Sequence, residues 1–303
     1  MKLHNDKELF DQYLFAVADY MGLDDRSIVE KDYYVTLFLK NIVEKQPNVV
    51  FKGGTSLSKC YKIIKRFSEN IDLSVETERE KLSEGQRKQL KKDIMSIVNK
   101  FDFTLINPEQ VRSRRDYNHY IIGYNPMTRY KSIKQNLIVE TAVYIKAFPS
   151  DYMNVTSYVY DFLVAKGFDE EIQKYSLEPF QVKVLSIERT FIDKVFALGD
   201  YYLTGNVDAH SRHLYDLHKL FPGINMDNRF EMLVAEVREI RKSHSSCYSA
   251  QNGIDLKTLL KDIVTKAFYK TDYNRITQPL LFEQVTYEES IDTLKKIIDE
   301  FPF

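Results

Sequence analysis

Tryptophan is absent from this chain of 303 residues, and cysteine nearly so, with only Cys60 and Cys247. These two form no Cys-x-x-Cys pair, which excludes a redox dithiol of that kind and fits a reducing cytosol. No apolar run reaches the ~18 residues that a membrane span needs. The N-terminus, Met1-Lys-Leu-His-Asn-Asp-Lys-Glu, has no apolar signal region. A cytoplasmic protein without a membrane partner is therefore expected. Net charge is also missing: 43 basic and 44 acidic residues leave −1. A nucleic acid would have to meet a local basic patch, because the overall field gives no help. Two common phosphate motifs are lacking, Gly-x-x-x-x-Gly-Lys-Ser/Thr and Gly-x-Gly-x-x-Gly. There is no internal repeat and no low-complexity stretch.

What is present is core material, 44% hydrophobic residues and 13% aromatics, in a chain long enough for two domains. The chain is organised around Asn48 to Glu76. Val49, Val50 and Phe51 form a short apolar strand that stops at Gly53-Gly54, where paired glycines let the backbone turn tightly and its N–H groups approach a ligand. Thr55 or Ser56 is expected to cap a helix whose buried stripe is Leu57, Cys60, Tyr61 and Ile64. Ile71, Leu73 and Val75 then alternate as a strand, and Asn70, Asp72 and Ser74 share its other face. A glycine turn at a helix N-terminus suits phosphate. Polar side chains two apart on a strand suit Mg²⁺, which prefers oxygen ligands. The pair points to a nucleoside triphosphate site, against the plainer reading of a strand–turn–helix–strand corner with an incidental Asp.

The same residues carry a resemblance. Gly53-Gly54-Thr55, a helix, and Phe67-Ser-Glu-Asn-Ile-Asp-Leu73 resemble the AbiEii/AbiGii toxin family of nucleotidyltransferases, within the DNA polymerase β-like superfold. The family's signature is a glycine turn, a helix of about three turns and an Asp-x-Asp strand; here the first aspartate is Asn70. The resemblance implies an α+β fold, a small mixed sheet followed by a helical domain. It implies transfer of a nucleoside monophosphate from an NTP, with two Mg²⁺ ions, to an acceptor thought to be tRNA or another RNA. It also implies growth arrest as the outcome and neutralisation by a winged-helix antitoxin. Gly53, Gly54, Thr55 and Ser56 would bind the nucleotide, and Asn70 and Asp72 the metal.

Elsewhere the reading places two helices in residues 5–45. Ser27-x-x-Glu30 is a capping box, and Glu30-Lys31-Asp32 reads as a solvated helix face. Three further strands fall at 102–106, 117–124 and 135–145. Glu140, central in the last, is the candidate third metal carboxylate, with Glu178 a weaker rival. Arg112, Arg114, Arg115, Arg129 and Lys131, interleaved with Tyr117, Tyr120, Tyr124 and Tyr130, suit RNA phosphate and base stacking, or else form a solvated hairpin. From 151 to 303 the pattern reads as almost wholly helical, so the domain boundary is placed near 150. Lys194 borders a buried stripe, where snorkelling to water is the default. The resemblance gives Lys194 and Asp216 catalytic roles, with Lys194 facing the triphosphate. Arg212 and Asp216 are spaced as a surface ion pair. Three alternatives stay open: transfer to a small molecule or protein hydroxyl, transfer of a phosphoryl instead of a nucleotidyl group, and a scaffold that binds nucleotide or a partner without turnover, which Asn70 favours.

Overall fold

The computed structural model describes residues 2–77, 82–127 and 134–303. They divide into two compact units: residues 1–60 with 68–184, and residues 61–67 with 185–303. Among the described residues, no helix is long and apolar enough to cross a membrane.

The first unit is built on a seven-stranded mixed sheet. Its strands are β1 (Val49–Lys52), β2 (Asn70–Val75), β3 (Thr104–Leu105), β4 (Tyr117–Gly123), β5 (Asn136–Ala142), β6 (Ser150–Val155) and β7 (Phe180–Leu185). They lie in the order β3-β4-β5-β2-β1-β7-β6. β1 and β2 are antiparallel, β2 and β5 parallel, β4 and β5 antiparallel, and β1 and β7 parallel. Period-2 alternation sets the inner face: Ile71 and Leu73, Tyr120 and Ile122, Leu137 and Val139 are all buried. Against that face lies α2 (Ser27–Lys45), which also packs on α1 (Lys7–Met21), α4 (Glu84–Lys100) and α5 (Tyr158–Lys166). α1 contributes Phe10, Leu14, Val17 and Ala18 at helical spacing. Phe10, Leu14 and Val17, fully buried, each contribute about 1.5–3 kcal/mol. α3 (Gly53–Lys59) and α6 (Asp169–Tyr175) complete the unit.

Four expectations fail here. Residues 151–185 are not wholly helical, because β6 and β7 lie there. β7 alternates Val182 and Val184 inward, and its neighbours Gln181 and Lys183 hide that signal in a polar context. The helix after the glycine turn ends at Lys59 instead of running three turns; Lys62 then takes a left-handed φ of 58°. Neither Thr55 nor Ser56 caps it: Lys52 is the N-cap, without a side-chain hydrogen bond. The Ser27 capping box is likewise absent. Arg26 is the N-cap, and Glu30 instead accepts the Met127 N–H at 2.7 Å.

The second unit is helical: α7 (Ile187–Thr204), α8 (Arg212–Leu220), α9 (Asn228–Lys242), α10 (Leu256–Thr265), α11 (Lys270–Asp272) and α12 (Tyr287–Glu300). α7 packs against α8, α9 and α10, and α12 against α8 and α10. Residues 61–67 join this unit as an extended segment. Phe67 N–H donates to Leu280 O at 3.0 Å, and Phe282 N–H to Lys65 O at 2.8 Å. That pairing is what removes Tyr61 and Ile64 from the expected helix stripe.

Candidate active site

In the first unit, strand register assembles the site. Lys52 on β1 lies opposite Asp72 on β2, Asp72 opposite Glu140 on β5, and Glu140 opposite His119 on β4. Residues paired across strands project to the same face, so the four form one row across the sheet. Asn70 joins that face two residues from Asp72, and both are half-buried. Glu140 accepts a hydrogen bond from the Tyr117 hydroxyl at 2.9 Å, and its other oxygen is 3.6 Å from His119 Nδ1. The Tyr117 hydroxyl is pushed well above its ordinary range, first by burial, then by Glu140 and Asp72. Acidic charge is thus concentrated here. Glu178 stays outside the row, half-exposed with its carbonyl bonded by Lys40.

The glycine turn is pressed onto this row. Gly53 has φ +78°, and a Cβ built there would lie 2.0 Å from Asp72 Oδ2. Glycine suits this position, because a Cβ would strain the backbone and displace the Asp72 carboxylate. Ser56 Oγ donates back to Gly53 O at 2.8 Å, and Thr55 Oγ1 meets Ser68 Oγ at 2.9 Å. Both hydroxyls are buried and brace the turn.

The charges of α2 were missed as structural members. Glu30, Lys31 and Asp32 are buried, not solvated. Lys31 pairs with Glu69, immediately before β2, and donates to Lys134 O at 2.7 Å. Asp32 pairs with Lys59 at 2.5 Å and accepts the Tyr158 N–H at 2.8 Å. These pairs tie α2 to the ends of α3 and β2, the two elements that carry the glycine turn and Asp72. The only sequence signal was a run of three charges inside an otherwise apolar helix.

In the second unit, Asp216 is fully buried and held by two cations. Arg66 grips it with Nε at 2.7 Å and Nη2 at 2.8 Å, and Lys194 Nζ donates at 2.6 Å. Burial alone would raise this carboxyl, but the two cations outweigh it and hold it far below the usual range. Lys194 therefore does not snorkel; its side chain is 6% exposed. Asp216 is buried and not part of a surface ion pair, and Arg212 Nε donates to Ala209 O. Asp193 belongs to a different network, with Arg189 and Arg241 at 3.1 Å. Arg66 was missed: it lies 150 residues from Asp216, and nothing in its own neighbourhood marks it.

Part of the basic cluster falls within the described residues. Arg112, Arg114 and Arg115 are exposed on the loop before β4, with Arg114 3.3 Å from Glu84. Tyr120 and Tyr124 are buried in the core and present no ring to a base. Arg129, Tyr130 and Lys131 lie outside the described residues.

Among the described residues, no group of three His, Cys, Asp or Glu side chains is arranged to hold a metal ion. The row offers two carboxylates, and Asn70 adds an amide oxygen, an all-oxygen set of the hard type that Mg²⁺ accepts. The residues fit a divalent cation with one negative charge fewer than three carboxylates would give.

No curated protein matches the chain. Its fold is similar to that of MenT4, a nucleotidyltransferase toxin from Mycobacterium tuberculosis. The TM-score is 0.52 at 16% identity, over 94% of this chain and 88% of that one. A family described as "Nucleotidyl transferase AbiEii toxin, Type IV TA system" matches residues 37–296, which include both the glycine turn with its carboxylate strand and the Lys194–Asp216 pair. The chain belongs to this AbiEii family of nucleotidyltransferase toxins.

Proposed function

We propose that the protein transfers a nucleoside monophosphate from an NTP to an RNA hydroxyl, with tRNA the first acceptor to test. The observation that carries this reading is the contact of the Gly53 turn with Asp72, whose strand neighbour in register is Glu140. A turn whose N–H groups can take phosphate thus abuts the carboxylates that can take the cation accompanying it. Asp72 and Glu140, with the Asn70 amide, would hold Mg²⁺. Two such ions, when bound, supply activation of the acceptor hydroxyl and neutralisation of the departing pyrophosphate. The chain's own share is positioning and charge. Gly53 and Gly54 hold the phosphates, Ser56 and Thr55 brace the turn, and Tyr117 orients Glu140. Lys194 is proposed as a triphosphate contact, with Asp216 fixing its ammonium group. Arg112, Arg114 and Arg115 offer exposed guanidinium groups to an RNA backbone, with Arg129 and Lys131 as further candidates. A winged-helix antitoxin is the proposed neutralising partner, and the cytoplasm the proposed compartment.

Asn70 favours a second reading, a nucleotide-binding scaffold of low or no turnover. An amide brings a dipole where a carboxylate would bring a full charge. The deciding experiment incubates the protein with each labelled NTP and total tRNA, with and without Mg²⁺. Mg²⁺-dependent label on RNA is expected. Binding of NTP without label on RNA, protein or small acceptors would leave the scaffold reading in its place.

A further inference from the structure

A cavity of about 630 Å³ in the first unit takes no part in the row described above. It lies where the N-terminal segment, the start of α1 and the end of α4 come together. Its volume falls within the range of about 300–1,000 Å³ usual for small-molecule pockets. Lys2, Lys7 and Lys100 line it, against a single carboxylate, Asp102. Lys100 is occupied: Nζ donates to Asn41 Oδ1 at 2.7 Å and sits 5.3 Å from the centre of the Phe101 ring. Lys2 and Lys7 have no ion-pair partner among the described residues. Positive charge therefore exceeds negative in a recess that is partly shielded from water.

The other wall is aromatic. His4, Tyr34, Phe101 and Phe103 line the same cavity and pack on one another, His4 to Phe101 at 6.0 Å and Phe101 to Phe103 at 5.7 Å. Phe101 is half-buried, the least enclosed of the three carbocyclic rings in this wall. His4 keeps its Nδ1 against the Tyr33 hydroxyl at 2.8 Å, which fixes that ring. Asn5 and Asn125 add neutral hydrogen-bonding groups to the lining. The ammonium of Lys2 is depressed from its ordinary range, first by burial and then by Lys40 and Lys100, with Glu44 and Glu178 opposing them.

Unpaired lysines beside an aromatic wall are the complement of a phosphorylated, ring-bearing small molecule. We propose that this cavity binds a ligand of the nucleoside monophosphate class, with Lys2 and Lys7 on the phosphate and Phe101 against the base. Such a ligand needs no divalent ion, since the lysines supply the countercharge. The proposal does not depend on the transferase reading.

The test is calorimetric titration of the whole chain with AMP, UMP and inorganic phosphate, all in EDTA. A nucleoside monophosphate should bind, and the double variant Lys2→Gln/Lys7→Gln should weaken it at least about tenfold, through loss of two charge-assisted contacts. Lys7→Gln alone, at an exposed helix position, gives a smaller loss in the same direction and serves if the double variant unfolds. Lys194→Ala and Asp72→Asn should leave the affinity within about twofold, as separate sites do. Inorganic phosphate should bind more weakly than either nucleotide. Absence of nucleotide binding, or binding that the lysine variants do not change, overturns the proposal. So does binding that Asp72→Asn or Lys194→Ala removes, which would assign the ligand elsewhere. Equal affinity for phosphate removes the aromatic wall from the site. Capture of a single-stranded oligonucleotide by Lys2 and Lys7 without mononucleotide binding replaces the small molecule with an RNA surface.

Discussion

Glu140 and Asp216 are both carboxylates in the middle of regular elements, yet their surroundings are opposite. Glu140 is half-exposed and touches a tyrosine hydroxyl and a histidine ring, with Asp72 beside it in the next strand. Asp216 is buried and gripped by a guanidinium and an ammonium. The first arrangement sets two carboxylates side by side and, at Glu140, meets them with neutral hydrogen-bonding groups. The second neutralises the carboxylate, leaves one positive charge in excess, and fixes the cations in place. A carboxylate meant to meet a cation from solution needs the first setting, and a carboxylate that holds protein side chains needs the second.

The largest effect should come from breaking the second setting. Asp216→Ala leaves Arg66 and Lys194 buried without a countercharge, and should cost about 3–5 kcal/mol of stability. Denaturant unfolding measures it; a loss under about 1 kcal/mol would mean that the cluster relaxes to water. Asp72→Asn should behave inversely. It should lower Mg²⁺-dependent transfer from NTP about 100-fold or more, with the unfolding midpoint nearly unchanged, because a half-exposed carboxylate gives up little on neutralisation. Equal loss of stability and activity would erase the contrast.

Gly53→Ala sharpens the comparison inside the first unit. Its left-handed backbone alone costs about 1–2 kcal/mol for a residue with a Cβ. Gly22, with φ +67° and open space around it, provides the control for that term. Gly53→Ala should exceed Gly22→Ala and should also weaken Mg²⁺-dependent NTP binding, since the new Cβ displaces Asp72. Two equal variants would show that the turn moves away without disturbing the carboxylate. Asn70→Asp adds a third carboxylate and should raise transfer roughly tenfold at limiting Mg²⁺. An activity no higher than the parent's would remove Asn70 as the cause of attenuation.

The smallest effect compares one histidine from each unit. His4 and His210 are both held down to about 4, chiefly by burial, with Lys2 and Arg212 adding to it. The unfolded chain takes up these protons near pH 6.5, whereas the folded chain resists until about 4. Their contribution to stability is therefore complete above pH 6.5 and declines as the pH falls from 6.5 to 4. His210→Gln should flatten that decline, read as thermal midpoint against pH. An unchanged slope would place the proton uptake elsewhere.

Legibility in the sequence followed the range of the interactions. β2 was readable because Ile71, Leu73 and Val75 alternate with Asn70, Asp72 and Ser74, so the strand reports its own two faces. Glu140 was readable as a charge in the middle of an alternating strand. By contrast, whether Lys31 and Asp32 are solvated depends on Glu69 and Lys59, dozens of residues away. A helical pattern from Leu57 to Ile64 was present, but pairing of residues 65–67 with 280–282 overrode it. Tyr124 looked like a stacking ring among basic residues, and only its packing on Tyr34 at 4.4 Å puts it in the core.

The extended segment at residues 61–67 also governs how the protein can be made and cut. The chain leaves the first unit after Cys60, returns at Ser68, and departs again only after Val184. A ribosome therefore releases Arg66 long before its partner Asp216 exists, and the intervening loop of 150 positions must close before the pair forms. Closing so long a loop is entropically costly and slow compared with local helix formation. Residues 185–303 synthesised alone would lack the guanidinium that neutralises Asp216, so a split gene would not yield two self-sufficient halves. Until synthesis passes Asp216, the nascent chain carries its glycine turn and carboxylate strand with Arg66 still waiting. The half that reads most clearly as catalytic thus emerges first, and the partners of residues 65–67, Asp216 and then 280–282, follow it.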